Sequence, residues 1–198
     1  IAYAKVINDP SHTRISLMID GEDRRFDCAT AEEKYEVYEA IYWWLRSLDS
    51  EDDLRAILRD LAGRYGIDVS GVCAKLCMTW DEIEQMAADP LATIGAHTVN
   101  HVMLKKASDE AVRREMTVSA SVIEAALGTR PRHFSYPVGD PTSAGPREFR
   151  LAAEAGFKTA VTTRPGVLFP EHREHLTALP RLSLNGEYQR VRYVKALM

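Results

Sequence analysis

Residues 94–101 read Ile94-Gly95-Ala96-His97-Thr98-Val99-Asn100-His101. A short apolar run from Ala92 to Ala96, a strand candidate, leads directly into two histidines four residues apart. The pattern on its downstream side decides the fold class. Ser108 to Leu127 predicts a long helix with Val112, Met116, Ala120, Ile123 and Leu127 on one face, closed by Gly128. His133-Phe134-Ser135-Tyr136 predicts a strand cut off by Pro137. Pro146 to Ala155 predicts a helix ended by Gly156, and Phe157 to Thr162 a further strand. Leu179 to Leu184 is the last strand candidate, ending at Asn185-Gly186. Strands alternating with helices of this length imply βαβ units, hence an α/β fold with a parallel sheet or barrel.

Upstream the pattern differs. Residues 14–28 predict a β-hairpin, with Ile15, Leu17 and Ile19 alternating with polar neighbours, a turn at Asp20-Gly21-Glu22-Asp23 and a return strand from Arg24 to Cys28. Thr30 and Glu33 form a capping-box pair that opens a helix, with Tyr35, Tyr38, Ile41, Tyr42, Leu45 and Leu48 as its apolar stripe. Tyr42, Trp43 and Trp44 suit either core packing or a flat platform for a sugar. A second capped helix starts at Ser50, carries Leu54, Ile57, Leu58, Leu61 and Tyr65, and ends at Gly66. Residues 67–78 read as a connector, and Thr79-Trp80-Asp81-Glu82 as another capping box whose helix stops near Asp89-Pro90.

Composition narrows the function classes. The chain of 198 residues is 45% hydrophobic and 27% charged, a balance that suits a globular core and excludes a disordered tail or a disulfide scaffold. No run approaches the roughly 18 apolar residues of a membrane span. A net charge of −4 and a pI near 5.9 argue against nucleic acid as a partner. The three cysteines, Cys28, Cys73 and Cys77, read as free thiols. Cys73 and Cys77 lack the second pair that a structural zinc site needs. Free thiols would suit a reducing compartment such as the cytoplasm, but they do not fix the localisation.

His97 and His101 follow a predicted strand, and in parallel α/β folds sites collect at the C-terminal ends of strands. Two neutral imidazoles so placed can share a zinc ion, or they can be ordinary packed histidines. A metalloprotease is excluded, because Thr98 stands where the HExxH pattern needs its glutamate. Arg132-His133-Phe134-Ser135-Tyr136-Pro137-Val138-Gly139-Asp140 offers a second site element. Its Pro-x-Gly turn can aim a backbone N–H inward, as an oxyanion requires, or can be an ordinary loop entry.

In this order and at this separation, the two stretches resemble the polysaccharide deacetylase family, the nodulation-type deacetylase domain of carbohydrate esterase family four. His97-Thr98-Val99-Asn100-His101 matches the family's His-Ser/Thr-x-x-His motif, and Pro137-Val138-Gly139 its Pro-x-Gly motif. Thr79-Trp80-Asp81-Glu82, Gly156-Phe157 through Thr163, and Leu179-Pro180-Arg181-Leu182 resemble the surrounding segments. The resemblance runs over about residues 76–186. It implies an irregular (β/α) barrel with fewer than eight strands, incomplete here. It also implies metal-assisted removal of acetyl groups from N-acetylated or O-acetylated saccharides. On this reading His97 and His101 hold a divalent metal, most simply zinc, and the Val138 N–H is the oxyanion donor. Ser135, Tyr136 and Pro137 line the substrate groove.

The departures shape the remaining expectations. The family's Thr-Phe-Asp-Asp-Gly motif, source of the metal-binding Asp and the catalytic base, does not occur. The chain begins at Ile1, so the motif is expected upstream of it, and this chain alone is expected to be inactive. Ser135 stands where many members carry arginine, although some carry Phe-Ala/Ser-Tyr-Pro here. The late Leu-x-x-His motif is not clear. His172 and His175 lie in its region outside its pattern, and Arg181 is the better-placed candidate. Residues 1–70 are expected to be a subfamily insertion of hairpin and helices, and residues 71–198 the C-terminal part of the deacetylase domain. An open sheet edge would favour a homodimer. The alternatives are a degenerate, non-catalytic carbohydrate-binding domain and a purely structural domain.

Overall fold

The computed structural model describes residues 2–183 and 190–197. Contacts divide the chain into two units, Ile1–Met78 and Thr79–Met198.

The first unit runs α1 (Ala2–Asn8), β1 (Arg14–Ile19), β2 (Glu22–Asp27), α2 (Ala31–Ser47), α3 (Glu51–Arg64) and α4 (Val69–Leu76). The hairpin is tighter than the sequence suggests. Ile19 pairs with Glu22, so only Asp20 and Gly21 form the loop, both at positive φ. That is the two-residue turn whose twist matches the strands. Ile15, Leu17 and Ile19 point inward and join Val6, Ile7, Val37, Ile41, Leu45 and Leu61 in one core. The Thr30–Glu33 capping box forms, with the Thr30 hydroxyl accepting the Glu33 N–H and the Glu33 carboxylate accepting the Thr30 N–H. The buried stripe of α2 is Val37, Ile41 and Leu45, whereas Tyr35 is 67% and Trp43 58% exposed. The expected connector at 67–78 contains α4, capped by Asp68 at the Gly71 N–H; Cys73 and Cys77 are free and exposed.

The second unit runs α5 (Trp80–Ala87), α6 (Asp109–Leu127), β3 (His133–Ser135), α7 (Pro146–Glu154), β4 (Thr159–Pro165), β5 (Leu179–Arg181) and α8 (Val191–Leu197). Short 3-10 turns lie at Leu104–Lys106 and Pro170–Glu174. The Thr79 capping box, the Ser108 cap and the Gly128 stop of α6 all form where the sequence places them. The three strands make one parallel sheet in the order β3-β4-β5. The expected strand at 92–96 is reduced to one parallel bridge, in which Ala96 pairs with Phe134. β5 stops at Arg181, and the expected continuation through Leu184 to Asn185-Gly186 lies outside the described residues.

Alternation gives the sheet two faces. Phe134, Tyr136 and Ala160 point into a core with Val112, Met116 and Ala120 of α6 and Leu151 and Ala152 of α7. Each large side chain there contributes about 1.5–3 kcal/mol by leaving water. The opposite face carries His133, Ser135, Thr159 and Val161, all half-buried.

Candidate functional site

Three chain segments leave the sheet at the same end. After the Ala96 bridge comes His97, after β3 the Pro137-Val138-Gly139 turn, and at the end of β5 Arg181. The His97 and His101 rings lie with centroids 4.9 Å apart, nearly perpendicular at 75°. His97 Nδ1 lies 2.6 Å from the Ser135 carbonyl. A carbonyl only accepts, so Nδ1 carries the proton and Nε2 keeps its lone pair. Metal-binding histidines are commonly fixed this way, by a hydrogen bond to the ring nitrogen that does not bind. Loss of water along this edge holds the His97 pKa below its ordinary value; His101 and Arg181 lower it further, against the opposing pull of the Ser135 carbonyl. The neutral, ligand-competent ring is thereby favoured.

The five-residue loop from His97 to His101 is shaped by two left-handed residues, Thr98 at φ 66° and His101 at φ 56°. The Thr98 hydroxyl accepts the His101 N–H at 3.0 Å. Behind the loop, buried Glu115 of α6 accepts the N–H groups of Val99 and Asn100.

The second turn is also strained. Val138 sits at φ 61°, and the Gly139 N–H closes back on the Pro137 carbonyl at 2.6 Å. This is a three-residue γ-turn of the rare, positive-φ kind. The Thr163 N–H donates to the Gly139 carbonyl at 3.0 Å, and the Thr163 hydroxyl donates to the Val138 carbonyl at 2.7 Å. Among the described residues the Val138 N–H has no acceptor.

The remaining expected site residues divide. Ser135 is half-buried and its carbonyl orients His97. Pro137 is buried and shapes the turn. Tyr136 does not line a groove: it is 1% exposed, lies edge-on to Phe134, and donates its hydroxyl to the Thr177 carbonyl. Burial, and secondarily Glu148, push its pKa up, so the phenol stays neutral. The physical reason is the strand period, which turns Tyr136 to the same side as Phe134. Arg181 donates Nε–H to the Thr162 carbonyl at 2.7 Å and sits near enough to His97 to lower its pKa. His172 is occupied locally, its Nδ1 accepting the Phe169 N–H. Glu115 and Thr163 were not anticipated. The signal for Glu115 is a carboxylate set inside the apolar stripe of α6, beside Val112 and Met116.

A hollow of about 430 Å³ lies over the half-buried sheet face, lined by Gly95, His97, His133, Ser135, Thr159 and Val161 among others. Another, of about 390 Å³, lies at the opposite end of β3 near Ile123 and Leu127, away from the paired histidines. The first reaches His97 and Ser135 on the C-terminal side of the sheet, where sites in parallel sheets belong. The histidine pair offers an ion two imidazole donors of suitable chemistry. Among the described residues no group of three His, Cys, Asp or Glu side chains could hold one.

Known proteins give the site its context. No curated protein sequence matches the chain. Among solved structures, Streptococcus pyogenes deacetylase PplD, in complex with acetate, is 19% identical with a TM-score of 0.55, covering 74% of this chain and 66% of that one. The BpsB deacetylase domain from Bordetella bronchiseptica is 23% identical (TM-score 0.46; 52% of this chain, 48% of that one). IcaB from Ammonifex degensii is 20% identical (TM-score 0.49; 61% and 53%). The chain thus spans less than two thirds of PplD and about half of the other two. At these identities the likeness to PplD speaks for the fold alone. The family description "Polysaccharide deacetylase" matches residues 38–160, from within α2 into β4, and takes in both histidines and the Pro-x-Gly turn. On that match, the chain belongs to the polysaccharide deacetylase family.

Proposed function

We propose that the protein is a metal-dependent hydrolase that removes acetyl groups from N-acetylated or O-acetylated saccharides. The observation that carries this reading is the His97–His101 pair, with the His97 tautomer fixed by Ser135, beside a turn whose Val138 N–H is uncommitted among the described residues. His97 and His101 would hold a divalent ion, most simply zinc, since imidazole suits it. Bound there, such an ion would supply Lewis acidity toward an acyl carbonyl and toward water. The Val138 N–H donates to the oxygen that gains charge as the acyl carbon becomes tetrahedral. Arg181 adds positive charge at the same rim. Ser135 holds the His97 ring in place through its carbonyl. The ion's third ligand, an Asp, and the general base come from outside the described residues, and the chain alone is inactive.

The parallel strands, with Ala96 alongside, support reading the second unit as part of an irregular β/α barrel. The division of the chain at residue 78 supports reading residues 1–70 as an insertion and residues 71–198 as the C-terminal part of the deacetylase domain, although the family match begins earlier, at residue 38. Among the described residues β5 has a strand neighbour on one side only, which supports a homodimer through that edge. Light scattering tests it: a monodisperse monomer would refute the pairing.

The deciding experiment measures acetate released from chitooligosaccharide and acetylxylan by the whole protein supplied with zinc or cobalt. Release that disappears on chelation is the expected result. Saccharide binding without release would instead establish a non-catalytic carbohydrate-binding domain.

A further inference from the structure

Glu115 carries a carboxylate into the apolar side of α6, where it is only 6% exposed. Its Oε2 accepts the Val99 N–H at 2.8 Å and the Asn100 N–H at 2.9 Å. Its Oε1 accepts the Asn100 side-chain amide at 2.6 Å. Val99 and Asn100 are the middle of the loop that joins the two histidines. Successive backbone N–H groups aimed at one point form a concavity that holds an anion. Here the protein fills that concavity with its own side chain. A buried carboxylate is costly unless its oxygens are hydrogen-bonded, and these three donors meet that need.

The geometry points to Glu115 as the positioning residue that presets His97 and His101 as a pair. The loop that joins them holds Thr98 and His101 in the left-handed region, which is unfavourable for a residue with a side chain. Such a conformation lasts only where its surroundings over-determine it. The Thr98 hydroxyl ties the end of the loop, and Glu115 ties its centre to a rigid helix of 19 residues. The carboxylate also places a negative charge against the loop that carries both histidines, which favours a cation bound there. That the pair serves a divalent cation rests on the function proposed above; that Glu115 sets the geometry of the rings does not.

The test uses the full chain and two variants. Glu115→Gln keeps an acceptor for the two backbone N–H groups and removes the charge, whereas Glu115→Leu removes both. Without metal, the imidazole NMR signals of His97 and His101 and the amide exchange of Val99 and Asn100 report the loop. Glu115→Leu is expected to shift both imidazoles and to speed exchange at both amides by at least about tenfold. Glu115→Gln is expected to retain most of the amide protection. With cobalt(II) alone as the probe, broadening of the same imidazole signals reports affinity. Affinity should fall about 10- to 100-fold in Glu115→Leu, the range for loss of a group that orients ligands, and less in Glu115→Gln. Imidazole signals and amide exchange in Glu115→Leu equal to those of the parent chain would overturn the proposal. If Glu115→Leu fails to fold, Glu115→Asp, whose shorter side chain withdraws the carboxylate from the Val99 and Asn100 N–H groups, takes its place with the same readouts and the same refuting outcome. If the parent chain takes up no cobalt, the metal reading fails, and the positioning role then stands or falls on the imidazole signals and amide exchange.

Discussion

The Thr163 hydroxyl donates to the Val138 carbonyl at 2.7 Å, and this bond, with the Thr163 N–H on Gly139, clamps the turn after β3 from the neighbouring strand. The clamp leaves no room on the Gly139 side. A Cβ there would lie 2.8 Å from the Thr163 backbone nitrogen, and φ is already 76°. Gly139→Ala is therefore expected to lower stability by about 1–3 kcal/mol and to displace the turn. Urea denaturation checks this, and an unchanged midpoint would show that the turn can move aside.

Tyr136 gives a contrasting expectation. Its ring packs in the core and its hydroxyl is spent on the Thr177 carbonyl. Tyr136→Phe should cost about 1 kcal/mol, the net value of one buried hydrogen bond. Acetate release by the whole protein should be unchanged. A fall in kcat at unaltered stability would place the phenol against substrate after all.

Replacing either imidazole tests the ligand assignment directly. His97→Ala and His101→Ala should each weaken zinc uptake at least tenfold, measured by calorimetry, while helix content stays constant. His97 is exposed at its outer edge, so its removal opens no core cavity. Uptake equal to the parent chain in either variant would exclude that histidine as a ligand.

Acid stability has a definite sign at the contact between α6 and α7. Hydrogen bonds from Arg113 and then Arg150 hold the Glu154 pKa below the ordinary value of 4.5. The folded state thus binds this proton less readily than the unfolded state does. The stabilisation is fully present above 4.5 and is lost as pH falls through the lower, folded value. Denaturation midpoints measured across this acid window should fall less steeply for Glu154→Gln than for the parent chain. Equal slopes would show that the pairs are fully screened by solvent.

Local chemistry was the legible part of the sequence. Thr30 with Glu33, Thr79 with Glu82, Ser108 and Gly128 all act within a few residues of themselves, and each marks a helix end in the structure. The two motifs that the family match takes in were legible for the same reason, since each is one continuous turn. What escaped depends on partners far along the chain. Ala92 to Ala96 had strand composition, but a strand needs a neighbour along its length and only Ala96 finds one. The α4 helix escaped because Gly71 and a length of eight residues weaken any helical signal. Tyr136 lies inside the motif, but the strand period turns its ring to the side of Phe134 and into the core. Glu115 stands out locally as a carboxylate in the apolar stripe of α6, but its partner is a loop some 15 residues away, which the stripe does not name.

Among the described residues, four without a glycine's freedom have positive φ, and three of them, Thr98, His101 and Val138, belong to the two site turns. Selection for heat resistance alone would therefore draw its easiest gains from these positions. Glycine or asparagine at 98 or 138 would relax the backbone and raise the melting temperature. The same change would let the imidazoles and the free N–H drift out of alignment. A hardened variant of this protein should thus be inspected first at those two positions, because robustness won there would be taken from the site.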